Sequence, residues 1–433
     1  MAGWTNWGGN QSANPAQVER PRDTEEVSLL VKQAADRGRR VKAVGSGHSF
    51  TATAATDGTL LHLDRLDAVL SADTATGLVT VQGGIPLHRL NAELASRGLS
   101  MTNLGDIDRQ TITGATSTGT HGTGRRLGGL ATQIRGLEMV LGDGSVVSCS
   151  ATERPELFEC ARIGLGALGI ITAVTLQCEP AFHLEAHEQP MPLDEVMGNL
   201  DELVDTNEHF EFFWFPYTEV ALTKRNNRLA PGVAPQPVGA LRDWIDDELF
   251  ANSVFHGTSA IARRFPSTVR RLNRTAAKLL AARHYSDLSH VVFTSPRRVR
   301  FVEMEYAVPR AAVHEAFAAI RSVLDTLDPP VSFPVEVRFV APDDIPLSTS
   351  YGRDTAYLAI HRYRGEPFEP YFRAVEARMR ELDGRPHWGK MHWRTADDLR
   401  PVYPRFDDFL AIREQTDPGR VFANRYLETV LGP

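Results

Sequence analysis

Two short runs of glycine and small hydroxylated residues constrain this chain most. Gly45-Ser46-Gly47-His48-Ser49-Phe50 begins where a short strand, expected over Arg40 to Val44, ends. Glycines there let backbone N–H groups approach an anion closely. The run is no G-x-G-x-x-G fingerprint, because Phe50 stands where the third glycine belongs, and no Gly-Lys-Ser/Thr makes it a Walker loop. Alone, it reads equally as a tight turn with an exposed histidine. The second run, Thr113-Gly114-Ala115-Thr116-Ser117-Thr118-Gly119-Thr120-His121-Gly122-Thr123-Gly124, changes the balance. Its hydroxyls and accessible N–H groups could cradle a pyrophosphate without any basic side chain. Two such runs in one region predict a dinucleotide lying between them.

The 433 residues leave room for two or three domains, and 42% hydrophobic with 23% charged residues is an ordinary globular balance. Up to residue 178 the pattern is mixed α and β. Helices are expected over 20–38 and over Leu87 to Gly98, where Leu87, Leu90 and Leu94 recur at helical spacing. Strands are expected over Leu78 to Gln82, Arg135 to Leu141 and Ser145 to Ser148, the last two flanking the hairpin signal Gly142-Asp143-Gly144. A glycine-rich run containing Gly169 and Ile171 closes this region. Beyond it, aromatic and alternating stretches appear at Phe210 to Phe215, Phe301 to Val308, Val335 to Val340 and Tyr357 to Tyr363. They predict an antiparallel sheet with helices on one face, as a second domain. Residues 225–250, with several Pro and Gly, are expected to be loop.

A net charge of −7 argues against a global nucleic-acid-binding role. Cys149, Cys160 and Cys178 fit no zinc spacing, and their odd number argues against a disulfide framework. With no basic start followed by an apolar stretch, a cytoplasmic protein is the expectation. No apolar run is long enough to cross a bilayer.

Taken in order, the motifs resemble the vanillyl-alcohol-oxidase-type FAD proteins. Val44-Gly45-Ser46-Gly47-His48-Ser49 looks like their flavin-attachment loop, and Thr118-Gly119-Thr120-His121-Gly122 like their second FAD loop. Within that superfamily the chain is similar to the sugar-1,4-lactone oxidases and dehydrogenases, with alditol oxidases as near relatives. The likeness extends through Asn6-Trp7, Glu303-Met304-Glu305-Tyr306, Glu336-Val337-Arg338, His387-Trp388-Gly389-Lys390 and Asp417-Pro418 to Phe422-Ala423-Asn424. It implies an α+β, two-domain flavoprotein. Two small α/β subdomains in residues 1–178, joined by segment 400–433, would hold FAD. Residues 179–399 would form a cap with a large antiparallel sheet flanked by helices. The implied FAD positions are Val44 through Phe50, Gly105, Asp106, Thr111, Gly114, Thr116, Thr118, Gly119, Thr120, His121, Gly169, Ile171 and Asn424. His48 would carry the flavin on its 8α carbon, since a neutral imidazole is a capable nucleophile near pH 7.

Glu336 and Arg338 are two apart in an expected strand, so both side chains share one face. An arbitrary pair of this kind is a surface ion pair worth about 0–1 kcal/mol. The resemblance instead places the pair at a substrate. It implies oxidation of an aldono-1,4-lactone (L-gulono- or D-arabinono-1,4-lactone) at the C2 hydroxyl, by hydride transfer to flavin N5, giving an ascorbate-type product. Arg338, permanently charged, would stabilise the developing alkoxide. Glu336 would orient substrate hydroxyls, and Lys390 would favour the anionic reduced flavin. Glu303 would reach the substrate, with Glu305 on the same face as a competitor and His361 as a weaker candidate. Asp106 stands where alditol oxidases carry a serine, which counts against a polyol substrate. Gly105 leaves room beside the flavin, a hint of oxygen as acceptor in place of a quinone or cytochrome. His387 and His392 are spaced like no zinc motif, so no metal is expected. A helix over 266–283, with Val269, Leu272, Ala276, Leu279 and Leu280 on one side, carries Arg271, Arg274 and Lys278, with Arg263, Arg264 and Arg270 nearby. This stripe reads as a solvated face or as a peripheral contact with an anionic membrane. The rival readings are an alditol oxidase and a flavin-binding protein without turnover.

Overall fold

The computed structural model describes residues 3–239, 264–295 and 299–433. Its first part holds two sheets. One is parallel, with Thr59–His62 between Gln17–Glu19 and Val41–Val44. The helix Thr24–Asp36 makes the crossover. It starts at Thr24 because the Asp23 side chain accepts from the Glu26 N–H at 2.8 Å, capping the first turn. Val27, Val31 and Ala34 recur on its inner face and share a core with Val41, Leu61, Val140 and Phe422. The second sheet is antiparallel, in the order Val146–Ser150, Ile134–Val140, Ile170–Gln177, Leu78–Gln82, Val69–Asp73. Its expected hairpin closes through the Leu141 N–H on the Ser145 carbonyl, with Gly144 at φ +84°. The helix Leu87–Ser96 packs Leu87, Leu90 and Leu94 into the core beneath this sheet.

The second part is one eight-stranded antiparallel sheet. Its order is Arg283–Leu288, His183–Pro192, Val220–Arg228, His209–Trp214, Val335–Val340, Thr355–Tyr363, Phe301–Pro309, Arg385–Pro386. Helices Leu200–Thr206, Val313–Thr326 and Glu369–Glu381 cover one face. Alternation then decides the rest. Val335, Val337 and Phe339 enter the core beneath those helices, so Glu336 and Arg338 point from the opposite face, toward the first part. The C-terminal helices Phe406–Thr416 and Arg425–Leu431 return to the first core, where Ile345, Leu347 and Trp388 from mid-chain join them.

Two expectations need correction. Residues 225–228 are not loop: the strand Val220–Arg228 runs on, paired residue by residue with His183–Pro192. Residues 229–239 are irregular, and 240–250 lie outside the described residues. The segment 266–283 is not one helix but a turn at Pro266–Thr268, the helix Val269–Leu279, and a strand from Arg283. Its inner side is Val269, Asn273 and Ala277, whereas Leu279 is 73% exposed. Asn273 takes the inner place because its amide donates to the Pro216 and Val331 carbonyls, at 3.2 and 3.1 Å. Arg270 stacks on Tyr217 at 4.2 Å, and Arg263 lies outside the described residues. No helix among the described residues is long and apolar enough to cross a membrane.

Candidate active site

The strand Val41–Val44 delivers the first glycine run to the wall of a long cleft of about 1070 Å³, open solvent included. Two glycines are required there. A Cβ on Gly45 would sit 2.1 Å from Thr111 Oγ1, and Gly47 adopts φ +70°. Thr111 lies on the facing wall and caps the short helix Ile112–Ser117, its hydroxyl accepting from Gly114 N–H at 3.3 Å. Thr113, Ser117 and Thr118 continue that wall, Gly164 through Gly166 and Gly169 through Ile171 form the far end, and Lys42 reaches the floor. The lining is mainly glycine, hydroxyl and apolar side chains, with Lys42, His48 and Gln110 among them and no carboxylate. Such a lining fits a dianionic dinucleotide.

His48 stands in this cleft, its ring stacked on Trp7 at 5.3 Å. Burial, with the charges of Lys390 and Arg109, lowers its pKa to about 4, so the imidazole is neutral at pH 7. Trp7 meets Phe50 and Phe301 edge-on, which ties this end of the cleft to the eight-stranded sheet.

The sheet face looking toward the cleft is polar and largely buried. Glu303 and Glu305 alternate with Met304 on one strand, and each has its own partner. Glu303 pairs with Lys390 and lies 3.4 Å from His361 Nε2, its cross-strand neighbour. Glu305 lies 3.3 Å from His121 Nε2. Burial would raise the Glu303 carboxyl, but Lys390 and His361 outweigh it and hold its pKa at about 2. For Glu305 the same contest ends well below the usual carboxylate range, through His121 and Lys390. His121 stacks on Tyr357 at 3.6 Å. His387 accepts from the Gly389 N–H at 3.0 Å, and burial lowers its pKa to about 3.

Beside this cluster, Arg338 Nε donates to Glu211 Oε2 at 2.6 Å and lies 2.5 Å from Glu336 Oε1. Nε carries one hydrogen and Glu211 takes it, which leaves Glu336 Oε1 in ionic contact without a hydrogen bond. Burial opposes the guanidinium charge, yet Glu211 and Glu336 keep the pKa well above normal. Burial raises the Glu336 pKa, against the pull of Arg338. Asp106 is held by Ser295, whose hydroxyl and N–H donate to it at 2.8 and 3.0 Å. Its charge acts on Arg338, Glu336 and Lys224.

Residues 174–430 match the model of the D-arabinono-1,4-lactone oxidase family, and residues 15–150 match an FAD binding domain. The chain belongs to the D-arabinono-1,4-lactone oxidase family. It is 46% identical to an L-gulono-1,4-lactone dehydrogenase of Mycobacterium tuberculosis, over 99% of both chains. It is 36% identical to the L-gulonolactone oxidase of Bos taurus, covering 98% of this chain and 97% of that one. A cholesterol oxidase from Brevibacterium sterolicum shares the fold, with a TM-score of 0.84 at 18% identity, over 99% of this chain and 96% of that one. Like its family, the chain is a two-domain FAD-dependent oxidoreductase.

Of the residues singled out in the sequence, Val44 through Ser49, Thr111, Gly114, Thr118, Gly169 and Ile171 line the cleft. The others do not. Phe50 turns into the core of the second part. Thr116 is fully buried, its hydroxyl donating to the Ile112 carbonyl at 2.9 Å. Gly119 makes a turn at φ +80°, and the Thr120 carbonyl accepts from Leu130 N–H. His121 is drawn away by Glu305 and Tyr357. Gly105 and Asp106 lie toward the sheet, where a Cβ on Gly105 would meet His121 O at 3.2 Å. Asn424 acts from behind, its amide donating to the carbonyls of Ala52, Thr53 and Ala55 and so fixing a loop that lines the cleft. Glu336, Arg338, Lys390 and Glu303 share one sheet face with Glu211, which the sequence reading missed. Its signal was there: one carboxylate inside the buried run Phe210-Glu211-Phe212-Phe213-Trp214. Lys42, Gln110 and Phe422 also line the cleft without having been anticipated. His121, Glu305 and His387 bring three potential ligand atoms within 4.8 Å of one another, a grouping that no sequence spacing announces.

Proposed function

We propose that this chain oxidises an aldono-1,4-lactone, of the L-gulono or D-arabinono kind, at its C2 hydroxyl, giving an ascorbate-type product. The observation that carries this reading is Arg338. Its Nε donates to Glu211 beside the Glu336 carboxylate, while its terminal nitrogens donate to no group among the described residues. A fixed, permanently charged fork is thus presented to the space before the sheet. When FAD is bound in the cleft it supplies the two-electron acceptor. Arg338 then holds the substrate oxygen and stabilises the negative charge that grows as its proton leaves. Glu336 orients the neighbouring hydroxyl. Lys390, anchored by Glu303 and acting on His48, supplies positive charge at the junction of cleft and sheet. His48, neutral and stacked on Trp7, is the proposed point of covalent attachment.

Two measurements test the reading. Intact mass of the denatured protein should exceed the chain mass by one FAD and return to the chain mass in His48→Ala. A yellow protein of unmodified mass would remove the covalent bond but keep the flavoenzyme. Anaerobic mixing with L-gulono- and D-arabinono-1,4-lactone should bleach the flavin, whereas bleaching by open-chain alditols alone would overturn the lactone assignment.

A further inference from the structure

Beyond Arg338 the polar face continues across four more strands. In cross-strand register Arg338 faces Glu211, Glu211 faces Lys224, Lys224 faces Glu188, and Glu188 faces Arg283. Cations and carboxylates alternate along this row. Its two halves differ in closeness. Arg338 meets Glu211 at 2.6 Å, as a structural ion pair should. Lys224 Nζ stays 3.7 Å from Glu188 and 3.9 Å from Glu211, and Arg283 stays 3.8 Å from Glu188. The Lys224 ammonium donates no hydrogen bond among the described residues, although its side chain is only 20% exposed. The ammonium is not sealed from solvent, so water can serve its N–H donors in the free protein, and a substrate hydroxyl can replace that water. A hydroxyl accepts from an ammonium and donates to a carboxylate, so it fits a gap between the two.

We propose that Lys224, with Glu188 and Glu211, forms a subsite for the hydroxylated side chain on C4 of the substrate. This rests on the lactone reading given above. C4 lies across the ring from the reacting C2, and Lys224 lies two strands from Arg338, roughly 10 Å at ordinary strand spacing. The row therefore reads the length and hydroxylation of that side chain, and Asp106, whose charge also acts on Lys224, closes the subsite from the first part of the chain.

The test is anaerobic flavin reduction by the FAD-loaded wild type, Lys224→Met and Glu188→Gln. Three substrates are compared: L-gulono-1,4-lactone, with two side-chain hydroxyls, D-arabinono-1,4-lactone, with one, and α-hydroxy-γ-butyrolactone, with none. Lys224→Met should lose about tenfold or more in kcat/KM on the first, mostly through KM, and the loss should shrink stepwise to about threefold on the last. Glu188→Gln, which keeps the side-chain shape, should give the same graded order. Equal losses on all three lactones, or none in either variant, would overturn the subsite while leaving the lactone reading in place. A wild type that no lactone reduces would overturn both.

Discussion

Lys42 offers a quantitative test of how the cofactor cleft is built. It sits on the strand Val41–Val44 just before the glycine loop, is 3% exposed, and donates to the Gly166 and Phe422 carbonyls at 2.9 and 3.2 Å. Burial lowers its pKa from 10.5 to about 7, with Asp417 opposing and Arg413 reinforcing the shift. Between pH 7 and 10.5 the unfolded chain keeps a proton that the folded chain has lost. Stability therefore rises with pH through that window. From the two values, the gain between pH 7.0 and 9.5 is about 3 kcal/mol. Lys42→Met keeps most of the side-chain volume and removes the titration. Urea unfolding of both proteins in the FAD-free form, where no cofactor phosphate faces Lys42, measures the contrast at the two pH values, and groups common to both proteins cancel. The wild type should gain about 3 kcal/mol more than the variant on going to pH 9.5. A contrast below about 1 kcal/mol would show that the amine is solvated or charge-paired and refute the reasoning.

Other consequences are as direct. Gly45→Ala drives a methyl into Thr111 Oγ1; it should cost about 1–3 kcal/mol of stability and visibly lower flavin content, read by the ratio of visible to ultraviolet absorbance. Arg338→Lys loses the planar fork but keeps the charge between Glu211 and Glu336, so stopped-flow flavin reduction should slow by about 10²-fold or more with the flavin spectrum retained. His392 is buried, its pKa lowered to about 3 by burial and by Arg394 and His387. The unfolded chain takes up its proton below pH 6.5 and the folded chain does not, so stability is lost as pH falls from 6.5 toward 3. Unfolding at pH 7.5 and 5.0 should show His392→Gln losing about 2 kcal/mol less than wild type, and parallel losses would disprove a buried neutral ring.

Much of the site was legible because its demands are local. Gly45 and Gly47 are forced by a close approach and a positive φ, and both needs are written in residue type. The pairing of Glu336 with Arg338 followed from strand period alone. What was not legible came from partners distant in sequence. The His121 ring lies against Glu305 and Tyr357 on the sheet side, contacts that its own loop sequence does not announce. Asn424 was read as a contact, yet its amide goes to three carbonyls of the 52–55 loop. On the helix Val269–Leu279 the apolar stripe misled, because two orphan carbonyls of neighbouring loops gave Asn273 more than a leucine could gain by burial.

The sequence by itself thus determined most of the elements and the residue types available: two glycine-rich runs, a histidine within the first, and charged residues alternating with apolar ones in buried strands. Periodicity and φ requirements act over a few residues, so they can be read along the chain. Only the tertiary structure decided which charges neutralise one another. Glu303 took Lys390, Glu305 came to lie against the His121 ring, and Arg338 took Glu211, while Lys224 was set between Glu188 and Glu211 at ion-pair distance without a hydrogen bond to either. Those choices depend on strand order and on one sheet face meeting another domain, and Coulomb energy at a few ångströms carries no trace of separation along the chain.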